Sequence, residues 1–231
     1  MIPKIIHYCW FGGNPKPKQV LDAIALWQQL NPDFIIKEWN ESNFDYRKLS
    51  YTYEAYLLGK FAFVSDVARL YALLTEGGIY LDTDIRVLKP FDRLLSHPSF
   101  IGLEAPFLVS TACIGAEKGC NWIQKFLESY QQLHFVNTRG AVDMTPNTMM
   151  LTGFLNNYLP LHRDELEVLD IDILSAKLYP SLDYVISDRT ICVHEFFGSW
   201  KKQLSYTYWN RIKYASVYYK VKWKKSLAIV F

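Results

Sequence analysis

The feature that most constrains this 231-residue chain is a pair of aspartates, Asp82 and Asp84, placed directly after the apolar residues 78–81. Two carboxylates with one residue between them point the same way in a strand or in the turn that follows it. Without a partner they would repel each other and lose solvation. A divalent cation removes that cost, because hard cations take oxygen ligands. The pair therefore predicts a site for Mn²⁺ or Mg²⁺ whose remaining ligands are the phosphates of a nucleotide.

Strand-like and helix-like segments alternate along the chain, which predicts an α/β fold. The length suits one sizeable core, and the β-α-β opening favours a parallel sheet. Strands are expected at residues 4–11, 34–39, 79–81, 100–103, 112–116, 168–173 and 191–194, and helices at 18–30, 53–58, 62–74, 121–133 and 148–158.

Three blocks resemble glycosyltransferase family 32: residues 2–13 (IPKIIHYCWFGG), 65–84 (SDVARLYALLTEGGIYLDTD) and 194–200 (HEFFGSW). That family contains bacterial capsule and exopolysaccharide transferases and yeast initiating mannosyltransferases, and it is distantly similar to the clostridial glucosylating toxins. A lone DxD occurs often by chance, whereas this ordered set is specific. The resemblance implies a GT-A fold, a Rossmann-like nucleotide-binding sheet joined to an acceptor-binding half, over residues 1–200. Residues 201–231 would form a basic appendage.

The predicted donor-binding residues start with Trp10, whose indole would stack on the nucleobase, although a buried core tryptophan is the alternative. Asp66 and Arg69 lie three residues apart, on one face of a helix. Asp66 would bind sugar hydroxyls, and Arg69 would reach the sugar or the diphosphate as a catalytic residue; the alternative is an ion pair within the helix. An arginine can do both, because its planar fork holds an acid and still meets an oxyanion. Ser65 would cap the helix or contact the donor.

His194 is the predicted third metal ligand beside Asp82 and Asp84, since imidazole suits Mn²⁺. In the related enzymes the first aspartate also touches the ribose or sugar, while the second binds the metal directly. By the same resemblance, Ser199 and Trp200 would close over the diphosphate. A core histidine followed by a packing tryptophan is the alternative. Glu104, Asp143 and Asn147 are weaker candidates in the half expected to hold the acceptor.

The C-terminal region carries most of the positive charge of the chain. Residues 196–231 contain eight Lys or Arg and no acid, whereas the net charge of the whole chain is only +2. Tyrosines and tryptophans lie between these cations, which predicts that residues 201–231 associate with an anionic membrane surface. The alternative is a helix that packs on the core. Nucleic acid is not expected, because no known nucleic-acid-binding module accompanies the patch.

The remaining sequence signals predict a cytoplasmic protein held peripherally on the inner face of the membrane. We expect no signal peptide and no spanning helix, because no apolar run of suitable length occurs. The four cysteines lack metal-site spacing and are expected to be reduced thiols.

Taken together, the residues and the resemblance predict a metal-dependent glycosyltransferase. It would move a hexose from a nucleotide-diphosphate sugar, with UDP favoured, to a hydroxyl of a growing, lipid-linked polysaccharide such as a capsule. The resemblance implies retention at the anomeric carbon. Two alternatives stay open: a non-catalytic nucleotide-sugar or glycan-binding protein, and a metal-dependent phosphotransferase or nucleotidyltransferase. Against the second alternative, this chain contains no Gly-rich phosphate-binding loop of the G-x-x-x-x-G-K type.

Overall fold

The computed structural model describes residues 1–178, 181–198 and 208–228, with the backbone alone at 208 and 225–228. Strands and helices alternate at the two ends of the chain, as the sequence predicts, but four consecutive strands lie between residues 78 and 116 with no α-helix among them. The strands are β1 (Ile5–Cys9), β2 (Ile35–Trp39), β3 (Gly78–Leu81), β4 (Ile85–Val87), β5 (Ser99–Ala105), β6 (Leu108–Ala116), β7 (Glu167–Leu169) and β8 (Cys192–His194). The helices are α1 (Lys18–Leu30), α2 (Ser50–Leu57), α3 (Phe61–Glu76), α4 (Asn121–Ser129), α5 (Asn147–Tyr158), α6 (Ile171–Leu174) and α7 (Tyr208–Ala228).

The main sheet has six strands in the order β2-β1-β3-β6-β5-β7. β1 is parallel to β2 and β3, as the β-α-β opening predicts, but β6 is antiparallel to both β3 and β5. The sheet is therefore mixed. The antiparallel pairing of β5 with β6 follows from the two-residue turn that joins them, since so short a connection cannot join parallel strands. Because β1 and β3 are parallel neighbours, their carboxyl ends lie at the same end of the sheet. Trp10 and Asp82, which follow these strands, therefore lie at that end.

Two glycines fix the connection from α3 to β3. Gly77 ends the helix with φ 69°, and Gly78 follows with φ 107°, values that favour glycine. A Cβ atom on Gly78 would lie 2.6 Å from the carbonyl oxygen of Ile5 in β1. Only glycine therefore lets β3 start close enough to β1 to deliver the acidic pair. Ser65 is the fifth residue of α3 and donates to the Phe61 carbonyl at 3.1 Å, so it does not cap the helix.

A two-stranded antiparallel sheet, β4 with β8, lies beside the main sheet and pairs Ile85 with His194. The sequence indicates β8 but not β4, a three-residue strand. The single strand predicted at 168–173 is wrong in its second half, where α6 begins. The alternation of Ile171 and Ile173 with acids resembles a strand, yet a helical turn is formed there that buries Leu174 against Gly102.

The C-terminal helix α7 packs on the core through one face. Val221 is fully buried, and the ring of Tyr218 lies 4.6 Å from that of His134. Lys224 donates a hydrogen bond to the Tyr53 hydroxyl of α2 at 2.9 Å. Among the described helices, none is long and apolar enough to cross a bilayer.

Candidate functional site

The first aspartate of the pair is held by the strand that precedes it and by its neighbour. Asp82 donates its backbone N–H to the Ala112 carbonyl of β6 at 2.8 Å. Its Oδ1 accepts a hydrogen bond from the Tyr80 hydroxyl at 2.8 Å and lies 3.3 Å from Nη2 of Arg69. The side chain stays about one quarter exposed, at 27%. Asp82 is thus oriented by protein contacts while part of its carboxylate remains open to a ligand.

Arg69 is the buried cation that connects the helix to the acidic pair. Its Nη2 lies 2.8 Å from Oδ1 of Asp66, and its Nη1 donates to the Thr111 carbonyl at 2.6 Å. The guanidinium also lies 4.6 Å from the ring centroid of Tyr80. Burial alone would lower the pKa of Arg69, but Asp82 raises it above its usual value. The intrahelical ion pair with Asp66 is therefore present, and the same guanidinium also reaches Asp82.

Asp66 carries an unusual carboxyl group. Burial raises its pKa to about 6, against the opposing effect of Arg69. A carboxyl group with such a pKa exists in both protonation states near neutral pH, so it can accept or donate a hydrogen bond to a hydroxyl. The buried side chain of Asn147 lies next to this carboxyl group and lowers its pKa. These two groups offer polar atoms suited to sugar hydroxyls.

The second aspartate meets the late segment of the chain. Oδ1 of Asp84 lies 3.4 Å from Nε2 of His194, and its Oδ2 accepts the Phe197 backbone N–H at 3.0 Å. Although burial opposes ionisation, the hydrogen bond with His194 lowers the pKa of Asp84. Burial would likewise lower the pKa of His194, but Asp84 raises it. The antiparallel β4–β8 pairing is what brings these residues, 110 positions apart, into contact.

The donor set fits a divalent cation. One ligand atom each from Asp82, Asp84 and His194 can be chosen so that all three lie within 4.8 Å of one another. The Nδ1 atom of His194 is buried and has no hydrogen-bond partner among the residues described. Glu104 adds a further carboxyl that interacts electrostatically with His194 and Asp82. Carboxyl groups thus outnumber the cationic side chains here, which favours an additional positive charge.

Of the other predicted donor residues, the structure describes two, Trp10 and Ser65. Trp10 follows β1, is half-buried, and donates its indole N–H to the Asn14 carbonyl at 2.7 Å. Ser65 lies on α3 one residue before Asp66. Ser199 and Trp200 lie outside the described residues, so their predicted closure over a diphosphate stays a prediction.

Residues 17–101 match the model of the glycosyltransferase sugar-binding region containing the DXD motif. The chain carries a DXD glycosyltransferase region. The sequence resemblance to this family is confirmed over these residues, which include Asp66, Arg69 and the acidic pair. His194 lies beyond the matched residues, and the structure brings it to the DXD region through β8.

Two curated fungal proteins are similar over parts of their length. Glucan organizing enzyme 1 of Cryptococcus neoformans var. grubii is 40% identical over 84 residues, which cover 32% of this chain and 23% of that protein. Inositol phosphoceramide mannosyltransferase 3 of Schizosaccharomyces pombe is 28% identical over 140 residues, covering 58% of this chain and 38% of that protein. The chain therefore spans well under half the length of either relative.

A solved structure shares the fold. The PaToxG glycosyltransferase superposes with a TM-score of 0.53 at 23% identity, covering 69% of this chain and 70% of that one. The predicted GT-A fold is confirmed, with a mixed rather than parallel central sheet.

Sequence reasoning missed two contributors to the DXD site and gave a third a different role. Tyr80 is the residue whose hydroxyl orients Asp82, and its position two residues earlier on the strand, facing the same side, is the available signal. The Phe197 N–H on Asp84 is a backbone group, which no residue type reveals. The sequence predicts Glu104 in the acceptor half, and the structure places its carboxyl near the acidic pair as well.

Proposed function

We propose that this chain transfers a hexose from a nucleotide-diphosphate sugar to a hydroxyl of a glycan acceptor. The observation that carries the proposal is the convergence of Asp82, Asp84 and His194 beside the buried cation Arg69. Mn²⁺ or Mg²⁺ held by these three residues would supply positive charge to the departing diphosphate. UDP is the favoured nucleotide, and GDP-mannose is the first competitor, because one fungal relative is named a mannosyltransferase.

The protein groups have separable roles in this proposal. Asp66 and Asn147 bind and orient hydroxyls of the donor sugar, and Trp10 covers the base. Arg69, fixed by the Thr111 carbonyl, stabilises negative charge as the glycosidic bond breaks. We propose retention of configuration: the acceptor hydroxyl attacks the anomeric carbon on the face that the diphosphate leaves, the departing phosphate takes the hydroxyl proton, and no protein nucleophile takes part. The site then acts chiefly by positioning and charge.

A donor screen tests the proposed function. Purified protein is incubated with Mn²⁺ and a panel of UDP- and GDP-hexoses, and release of nucleoside diphosphate is followed. We expect slow hydrolysis of one donor, abolished by EDTA and restored by Mn²⁺. Transfer to a glycoside, with an anomeric NMR coupling that matches the donor, then supports retention. Tight donor binding with no turnover in any combination would instead favour a non-catalytic binding protein.

We further propose that the acceptor is lipid-linked and that α7 holds the protein on an anionic membrane. Four large apolar side chains, Trp209, Ile212, Tyr219 and Trp223, recur at helical spacing and are 46–76% exposed. Exposed Lys213 and Lys220 flank this stripe. Because residues 208–228 contain six Lys or Arg and no acid, the stripe suits an anionic lipid surface while the opposite face packs on α2.

Replacing Ile212 and Trp223 together by serine should weaken binding to anionic vesicles by about tenfold or more, because both side chains would lose apolar burial at the interface. Vesicle flotation measures the effect. The control is Leu161→Ser, at an exposed apolar residue outside α7. Binding of the wild type should also fall as salt rises. Equal flotation of the double variant and the wild type would show that α7 serves only to pack on the core.

A further inference from the structure

The turn between β5 and β6 places a phenylalanine in a backbone conformation that lowers the stability of the protein. Ala105 pairs with Leu108, and Pro106 and Phe107 form the two-residue turn between them. Phe107 has φ 62°, at a turn position normally taken by glycine or asparagine. Its side chain is 92% exposed, more than any other large apolar side chain in the described residues. Neither turn geometry nor core packing accounts for a phenylalanine here.

This turn continues directly into the DXD site. β6 runs from the turn to Thr111, whose carbonyl accepts from Arg69, and to Ala112, whose carbonyl accepts from Asp82. Phe107 precedes Thr111 by four residues, which at a rise of about 3.3 Å per residue separates them by roughly 13 Å along the strand. Phe107 is therefore too remote to touch the sugar held by Asp82 and its neighbours, yet within reach of an acceptor that is several sugars long.

Glu104 lies between the exposed ring and the acidic pair. The β5–β6 register shifts between Leu103 and Ala105, which leaves Glu104 at an irregularity of the strand. Such bulges commonly re-aim a side chain beside an active site. Burial raises the pKa of the Glu104 carboxyl, while the nearby His194 and the Ser110 hydroxyl lower it, so this carboxyl lies close to both groups. The Glu104 carboxyl thus lies nearer the acidic pair, and the Phe107 ring lies farther from it.

We propose that this turn is an acceptor subsite for a sugar ring that lies one or more units beyond the reacting hydroxyl. Phe107 stacks on the apolar face of the pyranose, and Glu104 accepts hydrogen bonds from hydroxyl groups nearer the donor. Aromatic rings supply large contact area with little side-chain entropy to lose. The inference rests on the proposed glycosyl transfer and deepens it, since it makes an extended glycan the preferred acceptor.

The test varies the length of the acceptor. Octyl mono-, di- and trisaccharides of mannose, glucose and galactose are offered with the donor that the wild type hydrolyses fastest. We expect the wild-type KM to fall from mono- to trisaccharide. In Phe107→Ala the KM for the trisaccharide should rise about tenfold, equivalent to about 1.4 kcal/mol. Its KM for the monosaccharide and its donor hydrolysis should stay within about twofold of wild type.

Two further variants separate binding from folding. Phe107→Gly relieves the positive φ, so its melting temperature should equal or exceed that of the wild type while the acceptor defect persists. Phe107→Tyr should retain acceptor affinity. Met149→Ala, at another exposed apolar site, is the matched control.

The readouts distinguish this inference from the proposed function. A wild-type KM that does not depend on acceptor length, with donor hydrolysis intact, would overturn the subsite alone. Loss of donor hydrolysis in the wild type would overturn the proposed function. In that case saturation-transfer NMR with the trisaccharide still decides the subsite. A signal that weakens in Phe107→Ala supports it, whereas the same signal in both proteins, or none in either, contradicts it.

Discussion

Replacement of Asp84 by asparagine is expected to lower glycosyl transfer about a thousandfold, or about 4 kcal/mol of transition-state stabilisation. The amide keeps the size of the side chain and can still accept the Phe197 N–H. It removes the charge that faces His194 and weakens the proposed cation site. Initial rates at saturating Mn²⁺ measure the loss, and titration calorimetry with Mn²⁺ alone measures the affinity of the metal.

Asp164→Asn provides the control for this substitution, because Asp164 is an exposed acid in a separate part of the chain. It should leave rate and metal affinity unchanged. Near-normal turnover in Asp84→Asn, or full wild-type activity in EDTA, would contradict the assignment of Asp84 to a metal site.

Arg69→Ala should produce the largest loss of stability, about 3–5 kcal/mol, because it leaves the carboxylates of Asp66 and Asp82 without their buried cation. The free energy of unfolding is measured by urea denaturation. Arg69→Lys should recover only part of it, since an ammonium group cannot reproduce the contacts with two carboxylates and the Thr111 carbonyl. Arg139→Ala, at an exposed arginine, should cost less than about 0.5 kcal/mol.

The deficit should also depend on pH in a defined direction. Burial already raises the pKa of Asp66 to about 6 in the folded protein, above its usual 3.8. For a carboxyl group with a raised folded pKa, stability is lost as pH rises through that pKa and regained below it. Without Arg69 the folded-state pKa of Asp66 should rise further, so the stability lost at high pH should be larger in Arg69→Ala. The difference in free energy of unfolding between wild type and Arg69→Ala should therefore narrow from pH 8 to pH 5. A constant difference, or one below about 1 kcal/mol, would mean that Arg69 is not what holds these carboxylates.

Local sequence patterns predicted the elements whose causes are local. The bounds predicted for α1 match the structure, and α3 extends those predicted by only one or two residues, because apolar periodicity and the Gly77–Gly78 stop are both local. The sequence also placed Asp82 at the end of a strand and named His194 as its remote partner. Each of these rests on residues adjacent in the chain or on a family resemblance.

The features that the sequence did not predict depend on contacts between residues far apart in the chain or on backbone geometry. β4 has only three residues, and it is a strand because β8 pairs with it more than a hundred positions later. The strained turn at Phe107 carries an ordinary Pro-Phe dipeptide, and only its backbone angle and exposure set it apart. The two faces of α7 likewise become distinct once α2 covers one of them.

The β4–β8 pairing has a consequence for how the protein brings Asp82, Asp84 and His194 together during synthesis. Residues 17–101 contain both aspartates, yet this stretch emerges from the ribosome long before His194. Closing a loop of that length is entropically unfavourable and makes such contacts late events in folding. A nascent chain halted near residue 101 would thus hold the acidic pair without its histidine, so a fragment limited to the family region should bind metal weakly. Tight metal binding would therefore indicate that the chain has folded as far as β8, and not merely that it contains the DXD sequence.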